Sequence, residues 1–111
     1  MQIQNNPASP NFQAKLILVD NNVERFVKSS FRVNSKETFH TLDNFFVIYP
    51  DSVVTAGIKN VKNRDYLFVK NGATEKVEMK FIRNSKTVNE KDNSAFLDLI
   101  KRIMNKKSFW G

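Results

Sequence analysis

His40 is the only histidine in the chain, and Asp43 follows three residues later. On a helix this spacing puts both side chains on one face, where an imidazole and a carboxylate could act as an acid–base pair. A lone histidine of this kind is more often a surface residue making a local hydrogen bond, and catalysis is not expected of it. The chain has no cysteine, hence no thiolate nucleophile, no disulfide framework and no cysteine metal knuckle. Carboxylates alone remain as metal ligands, and the "EKD" run at 90–92 reads as an acidic cluster that suits the start of a helix. Phosphate-cradling loops need glycine, yet Gly57, Gly72 and Gly111 stand in neither a G-x-G nor a GK[ST] context. No catalytic constellation emerges, and no cofactor is expected.

Charge is the stronger signal. Eighteen Lys and Arg face eleven Asp and Glu, for a formal net charge of +7. Residues 1–57 are balanced, so all of the excess lies in 58–111. Such an asymmetry fits an acidic partner, protein or nucleic-acid backbone, as well as a merely solvated surface. The candidate contacts are Lys76, Lys80, Lys101, Arg102, Lys106 and Lys107, with Trp110 in the closing "KKSFWG". Glu78 and Asp98 interrupt these basic runs. Two roles stand open for Phe109 and Trp110: folding back to close the core beyond a helix end that Lys106 and Lys107 complement, or forming an exposed basic-aromatic tag.

The stretch "RDYLFVKN" (64–71) resembles the octapeptide of the RNA-recognition motif, which places a base, two aromatics and a valine where Arg64, Tyr66, Phe68 and Val69 stand. The resemblance implies a sheet surface on which bases stack. It departs from the pattern at Asp65, Leu67 and Asn71, and the family's partner motif has a ring where "LILVDN" has Ile17. The family also has a helix directly after this strand, whereas "NGATEKVEMKFIR" returns as another strand. A hairpin loop of two or four residues makes Tyr66 and Phe68 share a face with Val77, Met79 and Phe81. Those three alternate with Lys76, Glu78 and Lys80, so that face is expected to be the core, with Tyr66 and Phe68 inside it.

The elements that would position these residues follow from periodicity. Residues 1–11 are polar with two prolines and read as a flexible lead-in, without a signal peptide, and 12–111 as one small domain. No run is apolar enough for a membrane span, and the compartment stays open, cytoplasmic by default. An N-terminal strand is expected over 12–20, then a turn at Asn21–Asn22. "VERFVKSSFRV" (23–33) satisfies both a helical and a strand period and is read as a hairpin strand. A short helix is expected near 35–44, then a brief strand "FVIY" ending at Pro50. Three strands near 52–59, 65–70 and 76–83 form a meander. The amphipathic helix 93–107 is expected to cover one sheet face.

The fold expected is therefore α+β, an antiparallel sheet covered on one face by the C-terminal helix. The function expected is that of a non-enzymatic binding or adaptor domain whose basic second half meets an acidic partner. The alternative is a structural or assembly subunit that self-associates through a sheet edge or the C-terminal aromatics.

Overall fold

Asp20 fixes the start of the first helix. Its carboxylate accepts hydrogen bonds from the backbone N–H groups of Asn22 (2.9 Å) and Val23 (3.1 Å), which satisfies two of the free donors at a helix start. The computed structural model describes residues 15–104. Strand β1 (Leu16–Leu18) precedes that cap, and helix α1 (Asn21–Val33) follows it. Helix α2 (Ser35–Ile48) comes next, then strands β2 (Val54–Val61), β3 (Arg64–Asn71) and β4 (Val77–Ile82). A 3₁₀ turn at Glu90–Asp92 leads into helix α3 (Ala95–Met104).

The fold is α+β, as expected, with a four-stranded sheet in the order β1-β2-β3-β4. The meander β2-β3-β4 is antiparallel, whereas β1 runs parallel to β2, with Leu16 beside Val54 and Leu18 beside Ala56. Parallel neighbours need a crossover, and α1 with α2 supplies it. That corrects three expectations. Residues 23–33 form a helix, not a hairpin strand, and "FVIY" continues α2 rather than making a strand. The Asn21–Asn22 turn is the first turn of α1.

The core lies between the sheet and the helices. Leu16, Val54, Ala56, Leu67, Val69 and Ile82 point into it from the sheet. Val23, Phe26, Leu42, Phe45, Phe96, Leu99, Ile100 and Ile103 meet them from the helices. Helix α3 packs on β3 and β4. Polar side chains stitch the helices where they approach closely. The Thr38 hydroxyl donates to the Ser30 backbone carbonyl at 3.0 Å, the Asn34 side-chain amide donates to the Ser94 hydroxyl at 2.6 Å, and the Ser29 hydroxyl donates to the Asn93 side-chain amide oxygen at 2.6 Å. No described helix is long and apolar enough to cross a membrane.

The register of β3 and β4 corrects the assignment of faces. Tyr66 pairs with Phe81 and Phe68 with Met79, so these residues do share a face with Val77, as their parity requires. That face is turned away from the helices. None of the five belongs to the core cluster, and Phe81 and Val77 are 43% and 48% exposed. Leu67 and Val69 take the core side of β3 with no exposure at all.

Candidate functional site

The outer face of the sheet gathers side chains from all four strands at alternate positions. Strand β2 contributes Thr55, Gly57 and Lys59, and β3 contributes Arg64, Tyr66, Phe68 and Lys70. Val77, Met79 and Phe81 come from β4, and Ile17 stands outward on β1. The centre of this surface is aromatic. The Tyr66 and Phe81 rings meet edge to face across β3 and β4, with centroids 6.0 Å apart at 71°, the geometry that ring quadrupoles favour. Phe68 lies over Gly57, where a Cβ would fall 2.6 Å from two of its ring carbons and 2.4 Å from Val19 Cγ2. Gly57 is thus the position where a missing side chain lets a ring lie down on the sheet.

The rim of this surface is cationic. Lys59 pairs in register with Tyr66, and Arg64 with Val61, beside the turn at Lys62–Asn63. Neither Lys59 nor Arg64 makes an ion pair with a described residue. Lys70 pairs with Glu75 at 3.1 Å, a contact whose carboxylate is 75% exposed and therefore weak. Arg83 stands one position beyond Ile82, the last residue of β4, with its guanidinium carbon 5.8 Å from the Phe81 ring centroid. Its guanidinium and its backbone N–H both donate to Asp92, whose side chain is fully buried. That carboxylate fixes Arg83 at the end of the sheet. The strand carboxylates Asp65 and Glu78 alternate to the helix side, so no outward position of the described strands holds an acid.

The bases singled out in the sequence occupy other ground. Lys80 reaches Asp98 of α3 at 3.6 Å, Lys101 pairs with Glu37 of α2, and the Arg102 guanidinium donates to the Met79 carbonyl at 3.4 Å. Lys76 lies 4.0 Å from Glu78. Lys76 and Lys80 alternate with Val77, Met79 and Phe81, and all four bases lie on the helix side or the edge, where carboxylates neutralise Lys80 and Lys101. Lys106, Lys107 and Trp110 lie outside the described residues, as does the 1–11 lead-in. His40 and Asp43 line a shallow recess on α2 with Ser35, Lys36 and Phe39, and no hydrogen bond joins the two. Among the described residues no group of three or more His, Asp or Glu could hold a metal ion.

Lys59 and Arg83 escaped the sequence reading, and Arg64 entered it only as the base of the octapeptide, because the three lie far apart in sequence, on β2, on β3 and one position beyond β4. The signal that could have found them is the register itself, which sets Lys59 beside Tyr66 and Tyr66 beside Phe81. Comparison with protein-family models, curated proteins and solved structures finds no match for this chain.

Proposed function

We propose that the protein is a non-enzymatic binding domain that holds an acidic partner against the outer face of its sheet. One observation carries this reading. Exposed apolar and aromatic side chains on that face are rimmed by Lys59, Arg64 and Lys70, while no carboxylate occupies an outward position of the described strands. Apolar patches rimmed by charge of one sign are typical of interaction surfaces, and the sign selects the partner. The test is retention on heparin. The protein should bind at low salt and elute as salt rises, and Lys59→Gln with Arg64→Gln should lower the elution point without changing the melting temperature, because both side chains are exposed. Elution at an unchanged salt concentration would argue against this face.

A second reading, assembly through the sheet edge, draws support from β4, which ends the sheet and pairs along one side only. Face-to-face pairing of two copies is disfavoured, since it would enclose two like-charged rims in one interface. Sedimentation at constant salt over a range of concentrations separates the edge reading from the first.

A further inference from the structure

The acidic partner can be named by chemistry. We infer that the outer face binds single-stranded nucleic acid, with unpaired bases lying on Tyr66, Phe68 and Phe81 and the backbone phosphates held by Lys59, Arg64 and Arg83. This inference rests on the reading of the face as a polyanion surface and narrows it.

Three features favour this occupant. The first is the composition of the centre, where three rings and the Met79 thioether lie on adjacent strands with Tyr66 beside Phe81 and Phe68 beside Met79. Planar bases stack on such side chains whatever their sequence, because every base has a π-face. A duplex keeps its bases stacked inside and offers phosphates alone, which would satisfy the rim and leave the rings without a partner. The second is spacing. Tyr66 and Phe68 are two positions apart on one strand, about 6.6 Å, roughly twice the 3.4 Å separation of stacked bases along a duplex strand. Bases engaging both must be splayed apart, which a single strand allows and a duplex does not.

The third feature is the preorganisation of charge beside the rings. Asp92 is buried and holds Arg83 through both its backbone N–H and its guanidinium, so that the remaining donors of the guanidinium stay next to Phe81. An arginine so placed can stack on a base and bond a phosphate with different atoms. Lys59 and Arg64, unpaired by described carboxylates, bracket Tyr66 on the other side. A partner protein with an acidic surface would engage the cations, whereas unpaired bases and their phosphates engage the rings and the cations together.

The experiment is fluorescence anisotropy with a labelled oligothymidylate of about 10 nucleotides, within the range a small domain covers. Duplex DNA of equal length and heparin serve as competitors. The single strand should bind more tightly than the duplex, with a log–log salt slope near −2 for three phosphate contacts at about −0.7 each. Phe81→Ala and Tyr66→Ala should each weaken the oligonucleotide by about 5- to 150-fold and leave heparin binding unchanged. Phe81→Leu and Tyr66→Leu, which keep apolar bulk without a ring, provide the same comparison if an alanine variant melts early. Equal binding of single strand, duplex and heparin, insensitive to loss of the rings, would overturn the inference and leave the polyanion reading standing. Failure to bind any of the three at low salt would overturn both. A concentration-dependent dimer abolished by Phe81→Ala, with no oligonucleotide binding, would assign the face to a second copy of the chain instead.

Discussion

Phe68 rests on the backbone of Gly57, in the neighbouring strand and in direct register with it. The contact joins the two central strands on the side that the helices leave uncovered, and it makes glycine at 57 a packing requirement. Gly57→Ala would place its methyl within 2.6 Å of the Phe68 ring. Because the obstructing atoms are side-chain carbons, the ring and Val19 can shift, at a cost of about 1–3 kcal/mol for overpacking. Denaturant melts should show a lower midpoint at constant slope, and Phe68→Leu should recover part of the loss in the double variant. Strict additivity of the two changes would mean that the ring and the glycine do not interact.

The turn between β2 and β3 is built without glycine. Lys62 and Asn63 both adopt left-handed backbone angles, with φ of 52° and 64°, as a two-residue hairpin of the mirror-image type requires. Lysine is the less suited of the two, since a left-handed conformation costs an ordinary residue roughly 1–2 kcal/mol. The double change Lys62→Asn with Asn63→Gly, which installs the pair such turns favour, should raise stability by about 1 kcal/mol. A calorimetric melting temperature at or below that of the parent chain would contradict this.

Helix α3 should carry a large share of the folding free energy. Leu99 is fully buried and Ile100 is 1% exposed, so Leu99→Ala or Ile100→Ala should each cost about 2–5 kcal/mol. Equilibrium unfolding in urea measures it directly, and a loss below about 0.5 kcal/mol would mean that the helix is not seated on the sheet.

The sequence announced α3, the β2-β3-β4 meander and even the pairing parity of β3 with β4, because turns and amphipathic periods are local signals. It did not announce which face the helices cover. In β3 both parities are apolar, Tyr66 and Phe68 against Leu67 and Val69, so the central strand is silent on the question. In β4 the more apolar parity, Val77, Met79 and Phe81, faces outward, while Glu78 and Lys80 turn to the helix side, where Lys80 meets Asp98. An edge strand tolerates charge on its inner face when the covering helix offers a counter-charge and solvent is near, and this is why alternation misled there. Helix α1 was missed for a different reason. Val23, Val27 and Phe31 satisfy two periods at once, and the decisive sign was the Asp20 cap just upstream. Of the candidate site, Arg64, Tyr66 and Phe68 were legible through the octapeptide and Phe81 through parity, whereas Lys59 and Arg83 required the register.

Asp92 should prove structural as well as organising. Asp92→Ala removes the acceptor for the Arg83 backbone N–H, at 2.8 Å, and for its guanidinium. Loss of a charge-assisted contact of this kind costs about 1.5–3 kcal/mol. Asp92→Asn keeps an oxygen for the backbone N–H and should cost less. Thermal melts of the two variants should fall in that order, and the reverse order would show that the carboxylate contributes through its charge in a way unrelated to the N–H.

The parallel pairing of β1 with β2 has a consequence for the order in which the chain assembles. Leu16 and Val54 adjoin in space, yet all of α1 and α2 lies between them in sequence. Closing so long a loop is slow relative to forming the hairpins of β2, β3 and β4, whose partners are close neighbours along the chain. Strand β1 is also three residues long and lies at an edge, so little holds it once α1 loosens. The amide of Val19, bonded to the Ala56 carbonyl at 3.0 Å, should therefore exchange with solvent deuterium well before those of Leu67 and Val69 in the sheet interior. Strand β1 should thus be the last to join the sheet and the first to leave it.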